Sequence, residues 1–205
     1  MKKGIIALIC MILTLVFILV ALVGPWYSAS GELAGAKVYT NYGLTSSETK
    51  DAGEDPETTS YADQKKDIKD AGDDVPSLYS VYDNTFYITI IALVIAIIAL
   101  ICILGATFSF GKIKTMKMLG GIFGILAVIF CLIAPIYFMT ALPGEMWKNS
   151  TEKYGFWDTA EIWGAKVTFG PGYAWYLMII GFITSLIAAI IIFMDKKAPM
   201  AAPPQ

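Results

Sequence analysis

The stretch FYITIIALVIAIIALICILGATF, residues Phe86–Phe108, contains no charged side chain. At 1.5 Å rise per residue, about twenty apolar residues in a helix cross the ~30 Å hydrocarbon core of a bilayer. Three further runs, Gly4–Gly24, Met118–Leu142 and Tyr173–Met194, also reach that length and likewise lack charge. Together they predict an all-α membrane protein, a four-transmembrane-helix bundle with spans at about 4–24, 86–108, 118–142 and 173–194. The 205 residues then form a single membrane domain, 1–205, with no room for an ordinary second soluble domain.

Lysine placement orients the spans. Lys2 and Lys3 precede the first run, Lys112, Lys114 and Lys117 lie between the second and third, and Lys196 and Lys197 follow the fourth. The positive-inside rule puts these in the cytoplasm. The expected layout has both termini inside, a cytoplasmic turn at about 109–117 and a cytoplasmic tail at 195–205. Outer loops then cover about 25–85 and 143–172, and the expected location is the plasma membrane. Lys2-Lys3, the apolar run and Ser28-Ala29-Ser30 also fit a signal peptide, but a run of about 21 residues exceeds the usual ~7–15.

Composition limits the chemistry. The chain has no histidine, and every basic residue is lysine. No imidazole can ligate a metal or complete a Ser-His-Asp set, and no guanidinium can clamp a phosphate. The first outer loop carries a large acidic excess, the wrong sign for nucleic acid. Cys10, Cys102 and Cys131 all fall inside apolar runs, out of reach of an exported disulfide. No cofactor, no catalytic set and no small-molecule substrate emerge, so the expected partners are lipid and other membrane proteins, a second copy included.

Within the loops, Ala36–Tyr42 is rich in strand formers, as are Leu78, Tyr79, Val81 and Tyr82 and the segment around Val167-Thr168-Phe169. Gly-Ala-Lys-Val occurs at 35–38 and again at 164–167. Short strands just above a bilayer need partners for their backbone groups. A small extracellular sheet built from both outer loops, using residues 37–42, 78–82 and 166–169, is the economical expectation. Lys50–Pro56 recurs as Lys69–Pro76, and each copy has the Asp-Ala-Gly chemistry of a turn. Tyr61–Lys69 between them suits two turns of polar helix. The clustered carboxylates would suit calcium, but the EF-hand spacing is missing and a solvated acidic loop is expected.

Small residues recur at helical spacing: Gly120 with Gly124, Ala92 with Ala96, and Gly181 with Ser185. Such pairs let helix backbones approach closely. Trp26, Tyr27, Tyr173, Trp175 and Tyr176 lie at the expected outer interface, where aromatic rings favour the headgroup zone. Asn149-Ser150-Thr151 is an N-glycosylation sequon on the outward side. Pro135 is expected to kink the third span near its outer end.

Pro25-Trp26 after the first run, Tyr173-Ala174-Trp175-Tyr176 at the fourth and, loosely, Tyr42-Gly43-Leu44 are similar in character to elements of the claudin, peripheral myelin protein and stargazin superfamily. The chain resembles that superfamily along nearly its whole length in topology. It lacks the family's pair of disulfide cysteines in the first loop, which argues against a classical tight-junction claudin. The resemblance implies a non-enzymatic surface protein that mediates adhesion or lateral assembly through its outer loops, with Phe156 and Trp157 among the contacts. The alternative is an accessory subunit of a channel or membrane enzyme, docked through its small-residue faces. A transporter would want ionisable groups within the spans, and these are absent.

Overall fold

The computed structural model describes residues 2–33, 35–108, 113–151, 153–162 and 165–194. Lys112, Trp163, Gly164, Lys196, Lys197 and the tail at 195–205 lie outside the described residues. Four helices are long and apolar enough to cross a membrane: α1 (Lys2–Val23), α3 (Leu78–Thr107), α4 (Ile113–Met146) and α5 (Tyr173–Met194). A short helix, α2 (Tyr61–Asp70), precedes α3. The four long helices pack side by side, α3 on α4, α4 on α5, α5 on α1 and α1 on α3.

Their packing inverts that of a water-soluble protein. On α3 the buried positions Val81, Thr85, Thr89, Ala92, Ala96, Ala99 and Ile103 recur every three or four residues and are small through the middle of the helix. Its exposed positions include Ile91, Val94, Ile97, Ile101 and Leu104. Helices α1, α4 and α5 likewise expose isoleucines and bury glycine, alanine and serine, beside a few larger side chains such as Met11, Ile18, Phe138 and Met178. In water this arrangement would waste the larger apolar side chains. In lipid it is the low-energy choice, because only small residues let backbones approach and gain dispersion contacts.

Gly120, Gly124, Ala92, Ala96, Gly181 and Ser185 are all buried inside the chain. A side chain at Gly120 would meet Ile103 of α3 at 3.2 Å, and one at Gly124 would meet the Ala189 Cβ of α5 at 3.3 Å. At Gly181 it would find Phe17 of α1 at 3.8 Å. Thr14 joins α1 to α5: its hydroxyl lies 2.8 Å from that of Thr184 and 3.5 Å from the Gly181 carbonyl, and it also donates to the Cys10 carbonyl within its own helix. Helix α4 runs unbroken through Pro135 and Pro143.

The remaining elements form one antiparallel six-stranded sheet in the order β4-β3-β2-β1-β6-β5. The strands are β1 (Tyr27–Leu33), β2 (Ala36–Tyr42), β3 (Ser46–Lys50), β4 (Glu57–Ser60), β5 (Asp158–Ile162) and β6 (Ala165–Pro171). Both inter-helix segments contribute, and the join is β1 against β6, with Tyr27 opposite Pro171 and Gly31 opposite Val167. The strands expected at 37–42 and 166–169 therefore share a sheet, with β1 between them.

The strand expected at 78–82 is instead the first turns of α3. Leu78, Val81 and Tyr82 are spaced i, i+3, i+4, a helical stripe carried by residues whose types favour strands. α2 fills the expected place of a polar helix, and Ser60 caps it by accepting a hydrogen bond from the Ala62 N–H at 3.2 Å. Both copies of the acidic repeat turn on a left-handed glycine, Gly53 at φ 83° and Gly72 at φ 85°. The first copy links β3 to β4, and the second ends α2.

Candidate interaction surface

Strand pleating gives the sheet two unlike faces. Register places Tyr27, Ala29 and Gly31 of β1 on the same side as Tyr42, Thr40 and Val38 of β2 and Phe169 and Val167 of β6. The other side carries Ser28, Ser30, Glu32, Lys37, Tyr39, Asn41, Glu48, Lys50, Lys166 and Glu161. Ser28 donates to Asn41 at 2.9 Å, and Tyr39 donates to the Glu48 carboxylate at 2.7 Å. That hydrogen bond, reinforced by the Glu48 charge, pushes the Tyr39 hydroxyl pKa up. Glu32 sits opposite Lys37 and Glu161 opposite Lys166, so opposite charges align across both hairpins.

The apolar side is cemented to the helix ends by aromatic rings. Trp26 meets Phe138 of α4 edge-on at 5.3 Å, and Phe138 meets Tyr82 at 5.8 Å and Phe156 at 6.0 Å. Phe156 continues to Tyr27 at 5.2 Å and to Trp175 at 6.0 Å. Tyr61 of α2 lies 4.7 Å from Tyr82. A second group joins Trp147, Tyr154 and Phe169. Burial pushes the hydroxyl pKa values of Tyr27, Tyr42 and Tyr61 up, so these rings stay neutral.

Two tryptophans are bolted to backbone carbonyls. The Trp26 indole N–H donates to Ala21 O at 2.6 Å. That carbonyl belongs to the last turn of α1, and its helical partner would be the amide of residue 25, which is proline and has none. Trp26 therefore supplies the donor that Pro25 lacks. The Trp175 indole likewise donates to Pro135 O at 2.9 Å, tying α5 to α4.

α2 is pinned to α3. Lys65 pairs with both oxygens of Asp83 at 2.7 Å, and the Tyr79 hydroxyl donates to Gln64 at 2.8 Å. At the top of the helices, Ser77 donates to Glu145, which also accepts from Lys148.

The aromatic residues expected at the interface divide into two sets. Tyr173 and Tyr176 are exposed and Trp175 is half-buried, whereas Trp26 and Tyr27 are fully inside, under the sheet. Phe156, expected as a contact, is 6% exposed and belongs to the core, while its neighbour Trp157 is 52% exposed. Asn149 is exposed in the turn after α4. Among the described residues, no three carboxylates or thiols converge to hold a metal ion. The chemistry this surface offers is hydrogen bonding, charge pairing and aromatic contact. No protein-family model matches the chain, and no curated protein matches it.

Proposed function

We propose that the chain is a claudin-like integral membrane protein of the cell surface, a four-helix bundle whose outer sheet mediates adhesion or lateral assembly. The observation that carries this reading is the two-faced sheet. Strands from both inter-helix segments converge on β1, an aromatic layer seals one face to the helix ends, and the polar face carries the exposed Ser30, Glu32, Lys37, Glu161 and Lys166. A polar sheet on four apolar helices is suited to present contacts.

Orientation follows the charges. Lys3, Lys114 and Lys117 all sit at the helix ends opposite the sheet, and the positive-inside rule then directs the sheet outward. Asn149 would share that side and be open to glycosylation. The accessory-subunit alternative needs small-residue faces open to a partner, and this chain packs its own helices on Gly120, Gly124 and Gly181.

Two measurements test the proposal. On intact cells, a cysteine at Ser60 should react with a membrane-impermeant thiol reagent and one at Thr115 should not; the reverse pattern sinks the orientation. Purified in mild detergent and reconstituted, the protein should self-associate within one membrane or cluster vesicles. Exchanging Glu32 with Lys37 and Glu161 with Lys166, which reverses the charge pattern of the face but keeps each cross-strand pair, should weaken this with little change in the thermal midpoint. A strictly monomeric protein that neither clusters vesicles nor self-associates would overturn the functional reading, and recovery only in a complex with a different protein would favour the accessory role.

A further inference from the structure

We infer that Trp157 is a contact for the lipid headgroup layer, through which the β5–β6 hairpin rests on the bilayer. This rests on the membrane-spanning reading of the four helices. The turn before β5 is built to present one ring outward. Phe156 points in, against Phe138 and Tyr27, and Trp157 points out. Both oxygens of Asp158 hold the turn, accepting from the Gly155 N–H at 2.9 Å and from its successor Thr159 at 2.8 Å. These two bonds hold the Asp158 carboxyl below its ordinary pKa.

The exposed ring is not isolated. It packs edge-on against Trp175 at 5.5 Å, and Trp175 meets Tyr176 in the same way at 5.2 Å. Those two residues belong to the first turn of α5, and Tyr176, Ile180, Ile183 and Ile187 continue down that helix as an exposed apolar stripe. Trp157 is thus the uppermost member of a surface that becomes purely aliphatic below. An amphipathic ring at the top of such a stripe matches the boundary between headgroups and acyl chains, where tryptophan is most favourable. A protein hot spot would instead stand among residues that exclude water on all sides. Here the neighbours below it are lipid-type side chains, and the next residues up, Asp158 and Thr159, are polar.

The test uses the full chain, free of its three cysteines, in phosphatidylcholine vesicles. An environment-sensitive fluorophore is placed at Trp157→Cys, at Thr58→Cys on the opposite edge, and at Ile183→Cys on the α5 stripe. At 157, a headgroup nitroxide should quench best, and aqueous iodide several-fold less than at 58. At 183, the deepest acyl-chain nitroxide should quench best. Iodide quenching at 157 equal to that at 58 overturns the inference. Protection at 157 that disappears on dilution with excess lipid also overturns it, because the shield is then another protein. Failure at 183 would overturn the spanning reading itself. A second measurement keeps the native ring: headgroup nitroxide should quench the tryptophan emission of Trp157→Phe less than that of the unaltered protein, and an equal loss refutes the contact.

Discussion

Replacing Trp26 with phenylalanine isolates the hydrogen bond that Pro25 makes necessary. The ring is fully buried, and Phe at this position keeps the edge-on contact with Phe138. What is lost is the donor 2.6 Å from Ala21 O, on a carbonyl whose helical partner cannot exist. Stranding a buried acceptor costs about 1–3 kcal/mol. The smaller ring adds roughly 1 kcal/mol from reduced apolar burial.

Trp147 supplies the control, because its indole nitrogen is buried with no hydrogen-bond partner among the described residues. Trp147→Phe also trims a ring, a half-buried one, but removes a donor that was already desolvated without a partner. The difference between the two variants should therefore be about 1–3 kcal/mol, with Trp26→Phe the less stable. Reversible unfolding in mild detergent titrated with a denaturing one measures both. Equal destabilisation would refute the claim that the indole serves in place of the missing proline amide.

Four further outcomes are expected. Gly124→Leu should destabilise by about 1–3 kcal/mol through overpacking against Ala189, whereas Gly144→Leu, with no atom within 4 Å of an added Cβ, should be neutral in the same assay. Val167→Pro should abolish a monodisperse folded species on size exclusion, since Val167 lies between Gly31 and Ala160 and its amide belongs to one of the two ladders. Asp158 has a lowered folded pKa, so its stabilisation is complete above the unfolded value of about 4 and is lost as pH falls through the folded one. Iodide access to Trp157 should rise over that acid range and be flat with pH in Asp158→Asn. Lys65→Ala should loosen α2, read as faster proteolysis at 66–70, with a cost below about 1 kcal/mol because both partners of the pair are part-exposed.

The apolar helices were legible because a charge-free run of bilayer length has few alternative uses. Their ends were less so. α3 starts eight residues earlier than its apolar run, at Leu78, because Tyr79 and Tyr82 pack on α2 instead of lipid. Four strands went unread. β3 and β4, Ser46–Lys50 and Glu57–Ser60, lie at one margin and are half-exposed or exposed, so no apolar alternation marks them. β1 is rich in serine, alanine and glycine, poor strand formers, and is held by its neighbours on both sides.

A signal for β1 and β5 was nevertheless present. Glu32-Leu33-Ala34-Gly35-Ala36-Lys37-Val38 is matched by Glu161-Ile162-Trp163-Gly164-Ala165-Lys166-Val167. In each, Glu faces Lys across a hairpin, with the first strand ending before the shared Gly-Ala-Lys-Val. Reading only that tetrapeptide finds the returning strand and misses the outgoing one. The inward turn of Trp26 was hidden for a different reason: composition at a membrane boundary does not distinguish a ring facing headgroups from one filling the gap beneath a sheet.

The position of β1 also sets a timetable. β2, β3 and β4 can pair with it as soon as the first inter-helix segment is made, but its other side waits for β6, which precedes the last helix. Until then Tyr27–Gly31 presents an open row of backbone donors and acceptors. The pairing that closes it joins nearly opposite ends of the chain, the slowest kind of contact to form. During synthesis the half-finished sheet is therefore sticky at its centre rather than at its final margins. Truncation before β6 should yield a protein that inserts normally and aggregates through β1.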